Sequence, residues 1–160
     1  MPCTQRLREL LDSHASKYVV VSHSRAYTAQ EIAASLHVPG RELAKSVVVR
    51  TPRGLALAVV RAQDHVDLAR VGQQLERPVR LATETEIAAA FPDCEVGAMP
   101  PFGSLYDMPT LVDRELTKDT EIVFNAGTHT TAVRMPWIEY AAIEHPRVVP
   151  LTLRIEQLVG

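Results

Sequence analysis

Lysine is scarce in this chain: of 17 basic residues only Lys17, Lys45 and Lys118 are lysine, and the rest are arginine. Cysteine is scarcer still. Cys3 and Cys94 are too few and too isolated for a disulfide framework or a zinc knuckle, and in a reducing compartment both stay thiols. Cys94, in an expected loop, is the better nucleophile candidate of the two, but the sequence identifies no His or Asp partner for it. No run approaches the roughly 20 apolar residues that cross a bilayer. The opening "MPCTQRLREL" has neither the apolar core nor the small-residue cleavage site of a signal peptide, so a cytoplasmic protein is expected. An excess of positive charge is missing too. A formal net charge of −2 argues against coating long nucleic acid, which needs a dense Lys/Arg surface, while leaving room for a small basic mouth.

What is present fits one domain over residues 1–160. With 46% hydrophobic and 22% charged residues, such a chain can bury about two-thirds of its unfolded surface. No repeat, low-complexity run or linker interrupts it. In "TQRLRELLDSHA" Leu7, Leu10, Leu11 and Ala15 recur at helical spacing behind a candidate cap at Thr4. Tyr18 to Ser22 reads as a β-branched strand. Thr28 and Glu31 have capping-box spacing and open a second helix that Pro39-Gly40 stops.

"SVVVR" and "LALAVVRA" flank "TPRG", where Pro52 presets a turn and Gly54 tolerates its exit, so a hairpin is expected. Its near-continuous apolar character predicts cover on both faces. Asp64 is positioned to cap a helix running to about Leu75, with Val66, Leu68, Val71 and Leu75 as its apolar residues. The interleaved charges around Arg61, Arg70, Arg77 and Arg80 read as a solvated face. "PVRLA" is a short strand, and Thr83 with Glu86 repeats the capping-box spacing.

The segment "PDCEVGAMPPFGSLYDMPT" is too rich in proline and glycine to be regular. Val96, Met99, Phe102, Leu105 and Met108 nevertheless give it a packed loop's character. "TLVD", "EIVFNAG" and "THTTAVRM" read as strands, and "WIEYAAIE" as a helix with Pro136 in its first turn. "RVVPLTL" is an edge or bulged strand because of Pro150. Hairpins and crossovers together predict an α/β (α+β) fold, a mixed, curled or barrel-like sheet with peripheral helices.

Three features point to a site. Lys45 stands where a loop meets a buried strand; burial there lowers a lysine's pKa and a carboxylate neighbour raises it, and the sequence does not choose. The bland alternative is a lysine that lays its stem on the core and reaches water. Gly97 in "GAMPP" permits a close backbone approach, while Pro100 and Pro101 stiffen the loop after it; the alternative is an ordinary surface turn. Asn125, Gly127 and His129 lie between two strands, where alternation would point His129 and Thr131 to one face.

In their order, "AKSVVVR…GLALAVV…VDLARV…VRLATETEI…VGAMPPFG…PTLVDREL…IVFNAGTHTTAVRM" resembles the YbaK/ProRS-associated editing domain family over roughly Tyr27 to Tyr140. No single motif carries this likeness; the joint order does. The resemblance implies that fold and a trans-editing aminoacyl-tRNA deacylase. Such an enzyme hydrolyses the ester of a mischarged tRNA, with a small amino acid on tRNA(Pro) as substrate and a prolyl-tRNA synthetase as a candidate partner. It also implies that Lys45, Gly97 and His129 serve catalysis. Ser46, Ala98, Met99, Pro100, Pro101, Gly127 and Thr131 would then line the substrate pocket. No metal or organic cofactor is expected. Some members of the family carry Asn directly after the lysine, where this chain has Ser46, and that departure bears on amino-acid selectivity.

The chemistry does not require a nucleophilic side chain. Ester hydrolysis needs a placed water, oxyanion stabilisation and a proton route, all of which backbone groups and substrate hydroxyls can supply. Two other classes remain. One is a noncatalytic aminoacyl- or nucleotide-binding module with the same pocket. The other is a metal-dependent hydrolase using His23, His65, His129 or His145, ranked last because these histidines lack tight ligand spacing.

Overall fold

A computed structural model of the chain describes residues 3–23 and 43–153. The helix expected from Thr28 to Pro39-Gly40 lies outside them. Helix α1 (Cys3–Ser13) buries Leu7 and Leu11, one turn apart, so a single stripe meets the core. Thr4 does not cap it. The residue sits inside the helix, and its hydroxyl donates to the carbonyl of Ala126. Ala15 lies past the end, at φ +52°.

Strand β1 (Val19–Ser22), starting one residue later than expected, joins β6 (Glu121–Asn125) and β7 (Thr131–Pro136) in a three-stranded antiparallel sheet of order β1-β7-β6. Val21 pairs with Ala132, and Asn125 pairs with Ala132 from the other side. A second sheet has the order β4-β2-β3-β5-β8. It comprises β2 (Ala44–Thr51), β3 (Gly54–Arg61), β4 (Arg80–Leu81), β5 (Thr110–Asp113) and β8 (Arg147–Val149). β2 pairs antiparallel with both β4 and β3, whereas β3 with β5 and β5 with β8 pair parallel. The two sheets meet at one parallel bridge between Leu43 and Val123, which gives the mixed, curled arrangement.

The β2-β3 hairpin turns at Pro52-Arg53, with Thr51 opposite Gly54. The Thr51 hydroxyl accepts from the Arg53 amide at 3.1 Å and donates to the Gly54 carbonyl at 3.0 Å. Both faces are covered, which accounts for the unbroken apolar run. Val49, Ala56, Ala58 and Val60 cluster with Val71, Leu111 and Leu151. On the other side Val48 and Leu57 cluster with Phe91, Met99 and Met108, while Ala44 and Val59 join Leu7, Leu11, Phe102, Phe124 and Tyr140.

Helix α2 (Leu68–Leu75) is capped by Asp67, whose carboxylate accepts from the Ala69 amide at 3.0 Å. Asp64, the expected cap, is instead held by Arg61 Nε at 2.6 Å. Helix α3 (Glu84–Ala90) carries the capping box of Thr83 and Glu86. Helix α4 (Trp137–Glu144) follows Pro136, which ends β7 and precedes the first helical turn. Arg80 is exposed and engages Glu86, as expected of a solvated face, whereas Arg61 and Arg70 form half-buried pairs with Asp64 and Asp67 and Arg77 is half-buried too. Among the described residues no helix is long and apolar enough to cross a membrane.

Candidate active site

The site begins with a gap. Leu43, just before β2, bridges to Val123 of β6, and β2 takes up β4 at Val49, so among the described residues the edge of Lys45, Ser46 and Val47 away from β3 has no strand neighbour. A loop and a turn pack with the residues on either side of that stretch, Ala44 clustering with Phe102 and Ala126 and Val48 with Met99.

The loop is the proline-rich segment, and it is packed as expected. Ala98, Met99, Pro100, Pro101, Phe102 and Met108 are buried, whereas Val96 and Gly97 are exposed and a short 3-10 turn spans Gly103–Tyr106. The turn is residues 126–130 between β6 and β7, so His129 lies in a turn and not in the expected strand. Strand alternation therefore does not pair His129 with Thr131.

Loop and turn are stitched through backbone groups. Glu95 N–H donates to the Gly127 carbonyl at 2.8 Å, and Gly127 N–H donates to the Ala98 carbonyl at 2.8 Å. His129 Nε2 lies 2.8 Å from the Val96 carbonyl. A carbonyl only accepts, so this nitrogen carries the proton and Nδ1 is the ring atom left for a ligand. Gly97 has φ +89°, and a Cβ placed there would stand 3.2 Å from His129 Cε1. Glycine is what lets backbone and imidazole approach this closely. Met99 Sδ accepts from the Gly97 amide at 3.2 Å.

From behind, the buried Tyr140 hydroxyl donates to the Pro101 carbonyl at 2.7 Å. Burial first, and the nearby Glu144 carboxylate second, push its phenol well above 10, so it stays a donor. Glu144 also binds Thr110 Oγ1 at 2.6 Å and Ser104 Oγ at 2.5 Å, which ties α4 to the far end of the loop. On the other flank, Asp93 accepts from Arg6 at 3.0 Å and from Tyr106 at 3.0 Å. Burial works against its ionised form, but these two bonds hold its carboxyl below the ordinary value. The half-buried Cys94 has its Sγ 3.1 Å from the Tyr106 hydroxyl.

The faces of β2 sort the remaining candidates. Ala44 and Val48 point to the clusters that hold Phe102 and Met99, and Ser46 follows them. Its Oγ is buried with no hydrogen-bond partner among the described residues. Lys45, half-buried, takes the opposite face with Leu43, which packs with Val123, Ala132, Val21 and Ala62. Lys45 and Ser46 therefore border the gap from opposite sides of the strand. Thr131 pairs with Ser22, and alternation sets it with Val133, away from Ala132; its hydroxyl accepts from Thr128 Oγ1 at 3.0 Å. The structure brings Gly97, Ala98, Gly127 and His129 into one unit and leaves Thr131 in the turn's own hydrogen-bond network.

The sequence groups Asn125 with Gly127 and His129 between two strands and gives it no role of its own; the structure places it within β6. It ends β6 on the side of Val123, and its Oδ1 is buried without a partner among the described residues. No local pattern signals this, because the burial arises from the meeting of two distant strands. Among the described residues no three His, Cys, Asp or Glu side chains come together as metal ligands.

The aminoacyl-tRNA editing domain model matches residues 23–143, and the chain belongs to that family. Among solved structures, a proposed trans-editing enzyme for prolyl-tRNA synthetase superposes with a TM-score of 0.83 at 23% identity, covering 96% of this chain and 99% of its own. A scaffold from computational epitope backbone grafting superposes with a TM-score of 0.85 at 24% identity, with the same coverage. At these identities the likeness concerns the fold. No curated protein sequence matches the chain.

Proposed function

We propose that the protein is a trans-editing aminoacyl-tRNA deacylase that hydrolyses the ester of a small amino acid wrongly attached to tRNA(Pro). The observation that carries this reading is the unit formed by Gly97, Ala98, Gly127 and His129, within a family of editing domains. The neighbour described as a proposed trans-editing enzyme for prolyl-tRNA synthetase supports the choice of tRNA(Pro) and of that synthetase as a partner.

In this reading Lys45, protonated, fixes a phosphate or polarises the ester carbonyl, and amides of the Gly97 loop orient the ester or the attacking water. The ribose hydroxyl beside the ester assists proton transfer. Ala98, Met99, Pro100, Pro101 and Gly127 frame the amino-acid pocket, bordered by Ser46. An apolar pocket discriminates one methylene by only about 1–3 kcal/mol, so selection works by excluding the larger, correct amino acid and admitting alanine, serine or cysteine.

The test offers purified protein a panel of mischarged tRNAs beside Lys45→Ala and His129→Ala, following amino-acid release over time. Release from tRNA(Pro) charged with a small amino acid, lost in Lys45→Ala, is expected. Binding without release in the wild type would make the chain a noncatalytic module instead. Loss with EDTA and recovery with zinc would assign it to metal-dependent hydrolysis.

A further inference from the structure

Burying an amide oxygen with no donor is unfavourable, and Asn125 Oδ1 is in that position among the described residues. Its direction follows from the strand. Ile122 and Phe124 enter the cluster of Leu7 and Leu11, Val123 turns to the opposite side with Leu43 and Ala132, and Asn125 follows Val123. On β2, Lys45 follows Leu43 to that same side. The Leu43–Val123 bridge is parallel, so both strands leave it in one direction, and Lys45 and Asn125 each stand two residues beyond it. A long donor and an unused acceptor are thereby set at one level over the apolar patch of Leu43, Val123 and Ala132, next to the turn that carries His129.

We propose that Asn125 is a substrate-binding residue whose amide carbonyl accepts a hydrogen bond from the aminoacyl-adenosine end. The donor is the α-ammonium or the ribose hydroxyl beside the ester, the two N–H and O–H groups that flank the reacting carbonyl. The inference rests on the deacylase reading above. Lys45 has donors and no acceptor, so it can engage the carbonyl but neither of these groups; Asn125 supplies the complement. A buried acceptor left unused in the free protein is an arrangement that binding repairs.

The experiment compares wild type, Asn125→Ala and Asn125→Leu on three substrates: the mischarged tRNA, the same tRNA with its amino group acetylated, and the same tRNA ending in 2′-deoxyadenosine. Both variants should lose roughly ten- to hundredfold in kcat/KM on the complete substrate, the range for one hydrogen bond to a neutral or charged donor. One of the two modified substrates should impair the wild type by a larger factor than it impairs the variants, the ribose hydroxyl's part in proton transfer being lost equally from both. Acetylation doing so names the ammonium, and the deoxy end names the hydroxyl. Thermal unfolding of Asn125→Leu should occur at or above the wild-type temperature, because the change removes an unpaired buried polar group. Variants as active as wild type on the complete substrate, or equally impaired on all three, would overturn the proposal. Wild type inactive on the complete substrate would instead sink the deacylase reading, which separates the two failures.

Discussion

Gly97 and His129 are in contact through space that only a glycine leaves open: a Cβ at position 97 would stand 3.2 Å from His129 Cε1, on a backbone at φ +89°. Gly97→Ala therefore meets two obstacles, an unfavourable dihedral and a crowded imidazole. The dihedral alone costs about 1–3 kcal/mol. The crowding should push His129 Nε2 off the Val96 carbonyl, and release of amino acid should fall. A double-mutant cycle separates the two effects. In a His129→Ala background the ring is gone, so Gly97→Ala should cost less there by denaturant unfolding. Equal costs in both backgrounds would show that the ring contact carries no energy.

Glu86 makes a pH prediction. Arg80 Nη1 lies 2.8 Å from its Oε1 and Nη2 lies 3.1 Å from Oε2, while the Thr83 amide donates to Oε1 at 2.9 Å. Chiefly through Arg80, and then through Thr83, the carboxyl is lowered from 4.5 to about 2. A depressed acid stabilises the folded state above its unfolded value and stops doing so as pH falls through its folded one. The stability difference between wild type and Glu86→Gln should be constant above about pH 5 and shrink between 4.5 and about 2. Unfolding midpoints measured across that range check it; a difference that does not change with pH would rule out this carboxylate as its source.

Much of the fold is legible in the sequence because its signals are local. The Pro52-Arg53 hairpin and the Thr83–Glu86 capping box each depend on residues within a few positions of one another. Sequence and structure part where a distant partner decides. Thr4 has cap chemistry, but Ala126, 122 residues away, takes its hydroxyl. Asp64 has cap chemistry as well, but Arg61 holds its carboxylate, and Asp67, three residues on, caps the helix. "THTTAVRM" reads as a strand that includes His129 because it is rich in β-branched threonine, yet pairing with β1 starts only at Thr131. The site divides in the same way. Its glycine and prolines stand out in sequence, whereas the buried oxygens of Ser46 and Asn125, without partners among the described residues, become visible only once separate strands meet.

Ser46 offers a stability test that is independent of activity. Its buried hydroxyl gains nothing in the free protein, since no partner reaches it among the described residues. Ser46→Ala removes that polar group with little change in shape, and the protein should be as stable as wild type or up to about 1 kcal/mol more so. Denaturant titration measures this directly. A loss above about 1 kcal/mol would mean that the hydroxyl is satisfied in solution.

Tyr140 controls the loop from the side away from the gap. Its ring packs edge-on against Phe102, with centroids 5.1 Å apart, and lies 5.4 Å from Trp137, so Tyr140→Phe keeps the packing and deletes only the hydroxyl. The Pro101 carbonyl then loses its donor inside the core, which should cost about 1–3 kcal/mol. Burial and Glu144 raise the phenol well above 10, and a raised acid stabilises the fold while protonated, so the bond's contribution is complete below pH 10 and is lost only on approach to the folded value. The wild-type advantage over Tyr140→Phe should accordingly be flat from about pH 6 to 9. If the Pro101 carbonyl also fixes the pocket wall, the variant should bind the aminoacyl end less tightly, raising KM more than it lowers kcat. Full stability in Tyr140→Phe would show that water reaches this carbonyl and that the loop is held by its backbone bonds to the 126–130 turn.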